Sequence, residues 1–292
     1  MSREFNQHGG LTLVGLRGYE LPIDGVKGLI EKKSRDGDVT PFNQSTSFDP
    51  RSCGRFATPP MLINWLKAAS MSPNSENCLL CRVVCADPHN IQVTSNCGSG
   101  FITPIYLTRR LLHPVVTEAL QQNKKIALAF PDNSAVARFE PAILKVQKAL
   151  GITIPIVVAI KRRDILTGKT KLVGMQGDLD ALEGALVVMC DDEIDTGGSI
   201  VTMASLLREM YKVLSVWATV THPVFSESAP SRFMIADSPV DRIITMNTIP
   251  HNNRPELAPL IDSGRLRVRS WLDDLAWLTL MHHWDEDIRS AR

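Results

Sequence analysis

Asp191 and Asp192 stand side by side in LVVMCDDEIDTGGSI, the run over residues 186–200. Two adjacent carboxylates can accept hydrogen bonds from vicinal sugar hydroxyls. Behind them come Asp195, Thr196, Gly197, Gly198 and Ser199, which offer hydroxyls and a backbone that a ligand can approach closely. Such a loop suits a phosphate monoester. The apolar residues before the acids predict a buried strand, and a helix is expected from around Ile200. The loop would then lie at a helix N-terminus, where unpaired N–H groups and the helix dipole favour an anion. One segment could thus hold both ends of a ribose phosphate. Asp-Thr-Gly-Gly by itself is also an ordinary turn.

Three further groups could act on phosphates. Lys161, Arg162 and Arg163 follow an expected strand over 155–160 and open a polar stretch over 161–177, which predicts a mobile basic loop. Fixed positive charge of this kind serves phosphoryl transfer, which depends on positioning and electrostatics. His89 follows an expected strand over 78–86, and Asp132 follows another over 125–130. Gly168, Lys169 and Thr170 imitate the end of a P-loop, but Arg163 occupies the first glycine position, which excludes that motif. Cys78 and Cys81 form a C-x-x-C spacing followed by Cys85. With no second pair to complete a zinc site, these are expected to be buried reduced thiols.

These residues need elements to place them. Helices are expected over 59–69, 111–122, 140–150, from around 200, near 229–235, and as an amphipathic C-terminal helix from Trp271. Strands are expected over 78–86, 125–130, 155–160, 185–190, 213–221, 241–246 and 266–270. Alternating strands and helices with polar loops after the strands define an α/β fold with parallel sheets flanked by helices. A chain of 292 residues accommodates two lobes, expected at residues 1–125 and 126–292, with the last helix packing on the first lobe. Hydrophobic content of 44% and charged content of 22% are ordinary for a globular protein. A formal charge of +1 gives no reason to expect nucleic acid or a membrane surface as partner. With no apolar run long enough to span a bilayer and no signal peptide, the expected location is the cytoplasm, or the host cytoplasm for a viral gene.

Strand, acid pair, Asp-Thr-Gly-Gly-Ser and helix together resemble the phosphoribosyl-diphosphate (PRPP) motif of the type I phosphoribosyltransferase fold. Other segments extend the resemblance to PRPP synthetases, the ribose-phosphate diphosphokinases. ADPHNIQ at 86–92 is similar to their D-L-H-x-x-Q-I-Q, and AIKRRD to their K-R-R loop. PDNSAVARFEPA resembles P-D-x-G-G-x-x-R-A, retaining Asp132 and Arg138 but carrying Ser134 and Ala135 for the glycines. VTHPVFS with His222, and TMNTIP ending at Pro250, match family stretches near the C-terminus. The resemblance covers about residues 86–290. Upstream, FDPRSCGRF retains only Arg51 of an adenine-binding stretch.

The resemblance implies two type I phosphoribosyltransferase-like lobes and transfer of the β,γ-diphosphoryl group of ATP to the anomeric hydroxyl of a ribose 5-phosphate unit, releasing AMP. The acceptor would be ribose 5-phosphate, or ADP-ribose as in phage-encoded NAD-salvage relatives. Lys161, Arg163 and His89 would be catalytic, and Arg51 and His89 would bind nucleotide. His89 and Asp132 would hold Mg²⁺. Asp191, Asp192, Asp195, Thr196, Gly197, Gly198 and Ser199 would bind the acceptor. A homo-oligomer, dimer or larger, is implied as well. The alternatives are a phosphoribosyltransferase that consumes PRPP, and a non-catalytic subunit of an active synthetase.

Overall fold

The structure, a computed structural model, describes residues 14–16, 46–48, 83–88, 102–122, 125–163, 170–226, 229–251 and 254–284. Contacts divide the chain into two compact units, residues 1–106 with 270–292, and residues 107–269. The division falls ahead of the boundary expected near residue 125. Helix α1 (Thr108–Gln121) is the reason, because it packs on elements of the second unit.

In the first unit two short parallel pairs are described, β1 (Val14–Leu16) with β2 (Thr46–Phe48) and β3 (Val83–Ala86) with β4 (Ile102–Ile105). The C-terminal helix α6 (Leu272–His283) belongs to this unit. It was expected to be amphipathic. Of its residues 272–281, however, only Asp273 is exposed, so the helix is covered nearly all round rather than along one stripe. Expectations for the helix over 59–69, for Arg51 and for His89 lie outside the described residues.

The second unit is built on a seven-stranded sheet in the order β11-β10-β9-β8-β5-β6-β7. Its strands are β5 (Ile126–Phe130), β6 (Ile156–Arg163), β7 (Thr170–Gly177), β8 (Leu186–Ile194), β9 (Ser215–Pro223), β10 (Arg242–Met246) and β11 (Leu266–Arg269). All neighbours run parallel except β6 and β7. Helices α1 and α2 (Asn133–Leu150) pack on one face, and α3 (Gly198–Tyr211) covers the other; α4 (Ala229–Met234) and α5 (Ala258–Asp262) are short connectors. Burial on both faces explains the near-continuous apolar runs of β5 and β8. Alternation along the strands splits the core. Ala127, Ala129, Val187, Met189, Ala218 and Val220 join the cluster of Met203, Ala204 and Leu207 from α3. On the other face Phe130 meets Phe139 of α2 edge to face at 5.5 Å.

Two expectations need correction. Helix α2 starts at Asn133, seven residues early, because Asp132 caps it by accepting a hydrogen bond from the Ala135 N–H at 2.9 Å. Pro141, which a helix beginning at residue 140 would carry in its first turn, lies in the interior. Within the stretch over 161–177 the described residues are strand rather than polar coil. Lys161, Arg162 and Arg163 extend β6, and 170–177 is β7, paired antiparallel with it.

Candidate functional site

The sheet order reverses between β8 and β5. The chain leaves β5 through α2 towards β6, and leaves β8 through α3 towards β9 on the other side. A crevice opens where connections diverge this way, outside the carboxyl ends of the strands, and ligands of open α/β sheets bind there. The parallel register brings the ends of β5, β6, β8 and β9 to the same edge. Asp132, Lys161, Asp191, Asp192 and His222 are therefore gathered from distant stretches of sequence.

The acid pair lies within β8 rather than in the loop after it. Alternation sends its members to different faces. Asp191 lines the cavity on the α3 side. Asp192, 4% exposed, turns towards α2, where its Oδ2 meets Arg138 Nη1 at 2.7 Å. The Asp192 N–H donates to Asp191 Oδ1 at 2.9 Å. Burial, and then the neighbouring Asp192 carboxyl, push the Asp191 pKa up to about 7, against the pull of the Asp192 N–H and Arg138. The pair thus behaves as one unit with the Arg138 guanidinium beside it. Cys190, just before the pair, is buried and its pKa is pushed up to about 12, which makes it an inert thiol.

Helix α3 begins at Gly198, two residues earlier than expected, with Gly197 as its N-cap in the left-handed region at φ 74°. No side chain caps it, so its first N–H groups face outward as an anion site would require. The ring of Phe233 lies directly against Gly197, so a Cβ there would sit 2.7 Å from two ring carbons. The Ser226 hydroxyl donates to Asp195 Oδ1, and the Phe225 N–H donates to Ile194 O at 2.9 Å, tying the loop to the segment after β9. Thr196 and Ser199 are exposed.

Lys161 is brought to the same place by the alternation of β6, opposite a β-bulge in β7. Ala159 pairs with Met175 and Lys161 with Leu172, so three residues of β7 match two of β6 across the register shift after Ile160. Lys161 keeps the face of Ala159 and lines the cavity; both Lys161 and Arg162 are exposed, but Arg162 is not part of the cavity lining. The cavity has a volume of about 440 Å³ and is bounded by Lys161, Asp191, Gly198 and Ser199 on its polar side. Leu172, Met189, Met203 and Val220 form its apolar wall. This size suits a small metabolite.

Asp132 spends Oδ1 on its own helix and can offer its second oxygen to a cation. Among the described residues no group of three His, Cys, Asp or Glu side chains gathers as a cation cage. Mg²⁺ held mainly by phosphates and water needs only one or two carboxylates, and Asp132 fits that requirement. His222 Nδ1 lies 3.0 Å from the Thr248 hydroxyl, which itself donates to Thr221 O. Sequence reasoning noted Arg138 as a motif match and assigned it no task; its spacing from Asp132 on α2 was the available signal. Arg254 was missed entirely. It donates to the carbonyls of Pro223, Val224 and Phe225, a role visible only once β9 is placed.

A parallel sheet with a phosphate-type loop at its switch point and an acid pair ahead of the loop defines a protein of the type I phosphoribosyltransferase fold. Residues 158–261 match the family described as "Phosphoribosyl synthetase-associated domain". The ribose-phosphate pyrophosphokinase of Thermosipho africanus is 28% identical over 198 residues, covering 64% of this chain and 57% of that protein. The Nostoc enzyme of the same name is 31% identical over 169 residues, covering 57% and 44%. The crystal structure of phosphoribosylpyrophosphate synthetase from Mycobacterium smegmatis aligns over 97% of this chain and 89% of its own, with TM-score 0.58 and 21% identity. The chain is similar to the PRPP synthetases, and it spans about half the length of the curated relatives it matches.

Proposed function

We propose that the protein is an ATP-dependent pyrophosphokinase acting on a ribose 5-phosphate unit. The observation that carries this reading is the convergence of Lys161, Asp191 and the uncapped start of α3 on one cavity. The N-terminal N–H groups of α3, with Thr196 and Ser199, hold the 5-phosphate. Asp191, which lines the cavity, accepts from a ribose hydroxyl, Asp192 supports it from the α2 face of the sheet, and Asp195 braces the loop through Ser226. The anomeric oxygen attacks the β-phosphorus of ATP, the bond from that phosphorus to the α,β-bridging oxygen breaks, and AMP leaves with the oxygen. Lys161 stabilises the charge that develops in transit, joined by Arg163 from the end of β6. Asp132 would help to hold a magnesium ion on the phosphates, which would supply charge neutralisation. The roles of His89 and Arg51 in metal and nucleotide binding rest on the family resemblance alone.

The acceptor is ribose 5-phosphate or a larger molecule ending in that unit, such as ADP-ribose. The deciding experiment incubates the full chain with ATP and Mg²⁺ and either ribose 5-phosphate or ADP-ribose, then measures AMP and the pyrophosphorylated sugar. Turnover of neither acceptor overturns the reading. We place the protein in the cytoplasm as a homo-oligomer; among the described residues no helix is long and apolar enough to cross a membrane.

A further inference from the structure

We propose that Arg138 is the positioning residue of the acid pair, and through it a determinant of which sugar the site accepts. This inference rests on the ribose-phosphate reading above. Arg138 does not line the cavity. It reaches the pair from behind, from the α2 face of the sheet, and meets Asp192 Oδ2 at 2.7 Å where the Asp192 side chain is 5% exposed. Its own placement is fixed, because the next residue, Phe139, is buried against Phe130, and the helix that carries both is capped at Asp132.

The connection to the cavity is short. Asp192 is held by Arg138 through its side chain and holds Asp191 through its N–H. A buried carboxylate is kept charged and still by a partner in contact, and loses both properties when the partner goes. Without the guanidinium, Asp192 loses the contact that holds its side chain, and the Asp191 carboxylate bonded to the Asp192 N–H is held less firmly. The Asp191 carboxyl, held in one place, forms a good receptor for a ribose hydroxyl. A site built to hydrogen-bond a hydroxyl discriminates strongly against an analogue lacking it, because its buried polar groups are left unpaired. Arg138 thus sets the preference for ribose over 2-deoxyribose without touching either.

The test uses the full chain and calorimetric titration with ribose 5-phosphate and with 2-deoxyribose 5-phosphate. Arg138→Met is expected to weaken ribose 5-phosphate binding at least about tenfold while changing 2-deoxyribose 5-phosphate binding far less, so that the preference collapses. Arg138→Lys should restore part of it. Asp192→Asn should lose the same preference, and the double variant should lose no more than either single one, since both act through one contact. A loss equal for the two sugars would mean a merely structural role and would overturn the inference, as would unchanged preference in Arg138→Met. If that variant does not fold, Arg138→Lys decides alone: a ribose preference equal to wild type overturns the inference. A wild-type protein that binds neither sugar phosphate sinks the functional reading and this inference together; a wild type that prefers ribose, with unaffected variants, sinks this inference only.

Discussion

Phe233 presses its ring edge into the space where any side chain at Gly197 would begin, 2.7 Å from the position of a Cβ. The ring is held in turn by Phe225, edge to face at 6.2 Å. Gly197 also has φ 74°, where an L side chain is strained. Gly197→Ala should therefore cost about 1–3 kcal/mol of stability, read by thermal unfolding, through strain and a clash together. The loop that opens α3 should lose its shape as well. Calorimetry should show ribose 5-phosphate binding weakened by at least about tenfold, whereas a Gly197→Ala variant with wild-type affinity would separate the loop from phosphate binding.

Lys161 and Arg162 are neighbours that alternation sends to opposite sides of β6. Removing a preorganised charge from a phosphoryl-transfer site costs about 10²–10³ in turnover. Lys161→Ala should lower the rate of AMP release by that order, with ribose 5-phosphate affinity changed little. Arg162→Ala should lose less than about threefold, because exposed charges away from the site are screened. Equal losses in the two variants would show that the hairpin acts as a loose basic patch instead.

The difference between these two residues was not legible in the sequence, and the reason is geometric. In β7 the inward residues Leu172 and Met175 are three apart, not two, because the bulge inserts an extra residue. A strand whose apolar residues break the period of two reads as polar coil. The parallel strands β5 and β8 read correctly because burial on both faces leaves a continuous apolar signal. Asp191, Gly197 and Gly198 were legible for a related reason: a turn chemistry and an acid pair are local. Arg138 with Asp192 joins residues 54 apart in sequence, and Arg254 with the carbonyls after β9 joins residues about thirty apart. Such pairs exist only after the sheet has assembled.

Asp191 makes stability depend on pH. Its folded pKa of about 7 lies above the ordinary 3.8, so the folded state binds a proton that the unfolded state has already lost. The sign follows from linkage: between about pH 4 and pH 7 stability falls as pH rises, and above pH 7 the cost of the buried charge is present in full. Asp191→Asn should remove that cost. The variant should match wild type near pH 4 and exceed it at pH 8 by on the order of 1–3 kcal/mol, with the difference opening across the same window. Urea unfolding at a series of pH values measures this, and parallel curves for the two proteins would show that Asp191 is not the titrating group.

Arg254 offers the clearest separation of a structural bond from a surface one. Its guanidinium donates to Val224 O at 2.7 Å, Phe225 O at 2.6 Å and Pro223 O at 3.2 Å, and its Nε meets Glu256 at 2.8 Å. Pro223 ends β9, and Val224 and Phe225 follow it, leading to Ser226, the partner of Asp195. Hydrogen bonds from a charged donor contribute about 1.5–3 kcal/mol each, and unpaired acceptors add a desolvation cost. Arg254→Met should therefore lower stability by about 2–4 kcal/mol. Glu256 stands nearly free in solvent, its pKa lowered by its own backbone N–H and then by Arg254. An exposed ion pair of this sort adds little, so Glu256→Ala should leave the unfolding temperature almost unchanged. If both substitutions lowered it equally, the ion pair rather than the carbonyl contacts would be what holds the turn, and the bracing of Asp195 would have to come from elsewhere.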